Sequence, residues 1–123
     1  MTDTGLRERL GGALRQALRS RDAVAVSALR SALAALDNAE AVPDGGSDGS
    51  ASATHPRLAG TTLGVGSAEV PRRTLSDDEQ RAVLQAEIDE RLFAAAQFDL
   101  GSRPDRAARL RAEAAVLAEH CPD

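Results

Sequence analysis

Four stretches of the chain repeat apolar residues at helical spacing, and one long stretch between them does not. Leu6, Leu10, Leu14 and Leu18 recur every four residues with Ala13 and Ala17 beside them, which predicts a first helix over about 5–20 with one apolar stripe. Thr4 or Asp3 is placed to cap its start. Gly11 and Gly12 fall in the middle, where each costs up to about 1 kcal/mol relative to alanine, so a neighbouring element is expected to pack there. Asp22 is placed to cap a second helix over about 22–40, with Val26, Leu29, Leu33 and Leu36 as its stripe and Ala25 and Ala32 on the flank. The connection through Ser20–Asp22 is short, so the two helices are expected to form an antiparallel hairpin.

From 41 to 73 the periodicity disappears. PDGGSDGSASATHP is rich in Gly, Ser, Asp and Pro and has too little apolar surface to order itself, which predicts a long flexible loop. Its glycines at 60, 64 and 66 are not followed by the Gly-Lys-Ser/Thr that a phosphate-binding loop requires. Helical pattern returns at TLSDDEQ, where Ser76 and Glu79 have the spacing of a capping box and Asp77 and Asp78 suit the positive end of the helix dipole. A third helix is predicted over about 76–100, with Leu84, Ile88, Leu92, Ala95 and Phe98 on one face and Gly101 as its stop. A fourth, over about 103–121, has Ser102 or Arg103 as cap, Pro104 in its first turn, and Ala107, Leu110, Ala114, Leu117 and Cys121 as its stripe. The expected fold is all-α: one small four-helix bundle built from two antiparallel hairpins joined by the long loop.

Composition sharpens this picture. Tyrosine and tryptophan are absent and Phe93 and Phe98 are the only aromatics, so the core must be rich in leucine and alanine, with helices closely packed. All fifteen basic residues are arginine, which fits the codon bias of a GC-rich bacterial genome, although arginine also pairs phosphates and carboxylates bidentately. The net charge of −4 argues against a general nucleic-acid binder. Charge is uneven, however: residues 1–21 hold five arginines against Asp3 and Glu8, while residues 74–102 hold seven acids against Arg81 and Arg91. A lone cysteine, Cys121, excludes an intrachain disulfide and fits a reducing compartment. With no apolar run near the roughly 20 residues of a membrane span and no signal-peptide core, a cytoplasmic, membrane-free protein is expected.

Candidate chemistry is sparse. His120 and Cys121 are adjacent, but successive helical residues do not face each other, so a buried thiol beside an exposed imidazole is expected rather than a nucleophile with its base. His55 and His120 stand apart with no metal-ligand spacing, and neither a metal nor a cofactor is expected. Glu87, Asp89 and Glu90 cluster, but Glu87 precedes Arg91 by four residues, the favourable order for a helix ion pair. Arg91 projects onto the Leu84–Ile88–Ala95 face, so it must either snorkel or meet a carboxylate between helices. Arg30 lies beside the Val26–Leu33 stripe near Asp37 and is read either as a tie between helices or as facing a ligand phosphate. Arg7, Arg9, Arg15, Arg19 and Arg21 form the one basic concentration, either a solvated face or a contact for an RNA backbone.

Taken together, LRERLGGALRQALRSRDAVAVSALRSALAALDNAE resembles the opening hairpin of the YqeY-like family, which is related to the tail of the B subunit of the tRNA-dependent amidotransferase. The points of resemblance are the charged turn Arg21–Asp22, the pair Leu29–Arg30 and the closing Asn38-Ala39-Glu40. LSDDEQRAVLQAEIDERLFAAAQFDLGSRPD adds the Leu-Ser start, Arg91, Phe98 and the turn through Gly101, Arg103 and Asp105. Glu113, Leu117 and Pro122 fall where the family closes its helical domain with Tyr-Leu-Pro, here His120-Cys121-Pro122. The stretch 41–73 lies outside the resemblance, being much longer than the family's linker, and the residues to Asp123 hold no counterpart of its C-terminal helical subdomain.

The resemblance implies a single GatB/YqeY-type helical domain over 1–123 and a link to glutamine-dependent amidation of misacylated tRNA, a carbon–nitrogen ligase reaction. The catalytic parts of that enzyme lie in its other portions, so a non-catalytic accessory role is expected, with tRNA phosphates contacted through Arg7, Arg15, Arg19 and Arg30. The competing expectation is a helical protein-interaction module with no RNA role. Partner identity and oligomeric state are not encoded in any motif.

Overall fold

The structure, a computed structural model, describes residues 5–41 and 72–122; the stretch expected to be a flexible loop lies largely outside them. Among these residues the helices are α1 (Leu6–Ser20), α2 (Ala23–Glu40), α3 (Asp77–Leu100) and α4 (Pro104–His120). No strand occurs among the described residues, and the all-α architecture expected from the periodicity is present. The chain divides into two units: Met1–Asn38 with Leu75–Asp123, and Ala39–Thr74.

In the first unit each hairpin turns through the same device. The Arg21 N–H donates to Leu18 O at 3.3 Å and the Asp22 N–H to Ala17 O at 2.9 Å, the paired bonds of a Schellman motif. Arg21 accordingly sits at φ 60, in the left-handed region. Between α3 and α4 the Ser102 N–H donates to Asp99 O at 3.1 Å and the Arg103 N–H to Phe98 O at 2.8 Å, with Ser102 at φ 63. Gly101, expected as the stop, does end α3, but its own φ is −90, and the left-handed residue is the serine after it.

The caps divide between side chain and backbone. Ser76 and Glu79 form the reciprocal capping box of α3, at 3.0 and 2.9 Å. Asp22 Oδ1 accepts the Ala25 N–H at 3.1 Å at the start of α2. Gly5, not Thr4 or Asp3, is the N-cap of α1, and Arg103 stands at the start of α4; neither makes a side-chain capping bond. Pro104 occupies the first turn of α4, where its missing N–H costs nothing.

Both hairpins are antiparallel. Arg7 near the start of α1 pairs with Asp37 near the end of α2 at 2.9 Å. Across α3 and α4, Gln85 meets Cys121, Arg91 meets Glu113, and Asp99 meets Arg111. The core holds Leu10, Leu29, Leu36, Leu84 and Leu117 fully buried, joined by Ala17, Ala28, Ala32, Ala95, Ala107 and Ala114.

The stripes are rotated from the sequence expectation in instructive ways. Leu18 is 47% exposed, because strict four-residue spacing drifts about 120° between Leu6 and Leu18, while Ala17 returns to within about 20° of Leu6 and is buried. In α2 the buried line is Ala25, Ala28, Leu29, Ala32 and Leu36, leaving Val26 and Leu33 half-buried. In α3, Leu92 is exposed and Arg91 takes its place on the inner face. Among the described residues, a Cβ at Gly11 or Gly12 would meet within 4 Å only the Arg15 guanidinium nitrogens, at 3.8 Å, and not the neighbouring element expected there. Cys121, expected to be a buried thiol, is half-buried beyond the end of α4, and His120 is half-buried as well.

In the second unit, Ala41 and Arg72 form an isolated antiparallel bridge. The Arg73 N–H donates to Glu40 O at 2.8 Å, and the Arg72 guanidinium pairs with the Glu40 carboxylate at 3.0 Å. The two ends of the 41–73 stretch are thus held side by side.

Candidate functional site

Three surfaces or clusters are candidates: the arginines of the first hairpin, an ion-pair network between α2, α3 and α4, and the outer face of α3 with its exposed apolar side chains.

The arginines named from sequence do not converge. On α1, Arg15 and Arg19 lie within about 40° of each other and are exposed, whereas Arg7 is about 80° further round. Arg7 is drawn into its ion pair with Asp37 and is half-buried, which corrects its placement on the solvent face. Arg15 folds back over the Gly11–Gly12 surface of its own helix, and Arg19 donates to Gln16 Oε1 at 2.8 Å. Arg30 does not tie the helices together, since Asp37 is held by Arg7; it is exposed and has no hydrogen-bond or ion-pair partner among the described residues. Arg30 and Arg21 do flank one open depression of about 560 Å³, whose apolar wall is Leu18, Ala23 and Val26.

The ion-pair network is the most organised polar cluster. Arg91 Nη1 donates to Glu87 Oε1 at 3.0 Å and to the Glu87 carbonyl at 3.1 Å, the intrahelical pair their spacing predicts. Its Nε donates to Glu113 Oε1 of α4 at 3.0 Å. Glu113 is the one buried charged residue of the described core, and its Oε2 accepts from Arg109 Nε at 3.2 Å. Ser31 of α2 donates its hydroxyl to Glu87 Oε1 at 2.9 Å. Two arginines and two glutamates therefore balance in charge where Arg91 and Glu113 keep only 12% and 10% of their side-chain surface. With both oxygens of Glu113 engaged by guanidinium donors, the cluster is arranged to hold three helices in register rather than to move a proton. The spacing of α3 assigns Arg91 to a helix interface but identifies neither Glu113 nor Ser31 as its partners; the one signal for Glu113 is its position, one residue before Ala114 of the α4 stripe.

On the outside of α3 and its turn, Phe93 is 69% and Leu100 82% exposed. Phe98, by contrast, is half-buried, with the Arg106 guanidinium 5.7 Å from its ring centroid. Asp99 and Arg111 form a charge-assisted bond that raises the Arg111 pKa, through the hydrogen bond first and the carboxylate charge second. No group of three or more His, Cys, Asp or Glu among the described residues could hold a metal ion, and no described helix is long and apolar enough to cross a membrane. Against known protein families, curated proteins and solved structures, the chain has no match.

Proposed function

We propose that the chain is a non-catalytic helical accessory module that works by docking a protein partner on the outer face of α3. The observation that carries this reading is the pair Phe93 and Leu100, large apolar side chains held in solvent on a helix whose other face is fully committed to the core. Scattered single apolar residues are ordinary on a surface, but an exposed aromatic aligned with a second large apolar side chain on one rigid helix supplies the kind of anchor on which an interface centre is built. The test is a double variant, Phe93→Glu with Leu100→Glu, in which partner capture from native lysate should be lost while far-UV circular dichroism is unchanged. Retained capture would sink the reading.

A second reading, contact with tRNA as an accessory to glutamine-dependent amidation, follows from the resemblance to the GatB/YqeY proteins. It is favoured by the exposure of Arg15, Arg19 and Arg30. Without tyrosine or tryptophan to stack on bases, such binding rests on phosphate contacts and must weaken steeply with salt. An Arg15, Arg19 and Arg30→Ala variant should bind all tRNAs about equally less well, with the salt slope reduced by roughly one for every phosphate no longer neutralised. Arg7 is left in place because its removal opens the Asp37 pair. Absence of tRNA binding at low ionic strength removes this reading and leaves the first untouched.

A further inference from the structure

The exposed apolar residues of α3 are not scattered. Ala82, Ala86, Asp89, Phe93, Ala96 and Leu100 follow one another at steps of four, three, four, three and four, and every one of them is exposed. That alternation is the seam of a coiled coil, with Ala86, Phe93 and Leu100 at one heptad position and Ala82, Asp89 and Ala96 at the other. Leu92, 46% exposed, flanks the seam beside Phe93. From Ala82 to Leu100 the seam is about 27 Å long, five turns of helix. The core-facing residues of the same helix, Leu84, Ile88, Arg91 and Ala95, lie on the opposite side, so the seam is a second interface and not the margin of the first.

The charges along the seam select its occupant. Asp89 lies within it, and among the described residues its carboxylate meets only the Gln85 amide, at 3.0 Å. Glu90 stands beside it, exposed and with no cationic partner among the described residues. The basic residues of α3 are both committed elsewhere, Arg81 to Asp78 and Arg91 to Glu87 and Glu113. Asp99 is already neutralised by Arg111. A second copy of the chain laid on this seam, parallel or antiparallel, would bring Asp89 and Glu90 of one copy toward those of the other, a like-charge contact at the middle of the interface. A helix with apolar heptad residues and arginine or lysine beside them meets both demands at once.

We infer that the outer seam of α3 binds a basic amphipathic helix of about five turns, with Phe93 and Leu100 as its apolar anchors and Asp89 and Glu90 as its charge selectors. The inference rests on the proposed docking role and adds the chemistry of the partner. Two dye-labelled peptides of about 20 residues test it on the full chain by anisotropy, both with leucine at the heptad core, one with lysine and arginine at the flanking positions and one with glutamate there. The basic peptide should bind more than tenfold tighter than the acidic one, and more tightly as salt falls. Phe93→Glu should weaken it at least tenfold with the helical signal retained, and Asp89→Asn with Glu90→Gln should weaken it several-fold and flatten the salt dependence. Equal binding of both peptides overturns the charge selection and leaves the docking role standing. Failure of either to bind, with partner capture unaffected by Phe93→Glu, overturns both. A dimer in sedimentation that Phe93→Glu dissolves assigns the seam to a second copy and overturns the basic partner.

Discussion

Gly11 and Gly12 sit inside a fifteen-residue helix, where among the described residues the tip of Arg15 is all that a Cβ would meet. Glycine in a helix interior is justified when a neighbouring backbone needs the space of the missing Cβ, and here that space holds a flexible guanidinium at ordinary contact distance. Replacing each by alanine removes conformational freedom from the unfolded chain without a clash. Gly11→Ala and Gly12→Ala are each expected to stabilise the fold by about 0.5–1 kcal/mol, read as a shift in the urea midpoint at constant slope. Destabilisation would mean that another element rests on this face in solution.

Helix ends show how local chemistry and chain direction combine. Ser76, Glu79 and Asp22 act at the places their sequence patterns assign, because a cap reads only three or four adjacent residues. The hairpin turns depend instead on where the last helical bond forms, and both place a residue with a Cβ in the left-handed region. Ser102 carries this strain one position after a glycine that does not need its freedom, since a Cβ at Gly101 would meet nothing closer than the Gln97 carbonyl at 3.7 Å. Ser102→Gly is therefore expected to raise stability by about 0.5–1 kcal/mol, measured by thermal unfolding followed through helical ellipticity. A neutral or negative effect would mean that the serine hydroxyl supplies a compensating bond in solution.

At the level of the whole molecule, the Arg91–Glu113 pair is the most buried of the polar contacts that link α3 and α4, while Ser31 brings α2 to the same point through Glu87. Breaking a buried pair from one side strands the other charge, whereas removing both partners does not. Arg91→Met should cost about 3–5 kcal/mol, because Glu87 and Glu113 then face each other with Arg109 as the one remaining guanidinium. Arg91→Met combined with Glu113→Met should recover most of that cost, read from urea unfolding of the single and double variants. Equal destabilisation in the two would show that packing, not charge, sets the cost.

Periodicity in the sequence was sufficient for the existence, type and approximate ends of the four helices among the described residues, since hydrophobic spacing and capping residues act within a few turns of one helix. It also exposed Arg91 as a charge on an apolar face. Which edge of each stripe turns inward was decided by tertiary packing: Ala17 replaces Leu18, Ala28 joins Leu29, and Arg91 displaces Leu92. An alanine-rich core makes the inner line of each helix a matter of how closely its neighbours approach, and that distance is not written in any single helix. The same reason hid Glu113, whose burial is tolerable only because Arg91 and Arg109 arrive from α3 and from its own helix to neutralise it. The second seam of α3 was present in the spacing all along, but an apolar heptad position and a core position look alike until the fold has chosen which face to cover.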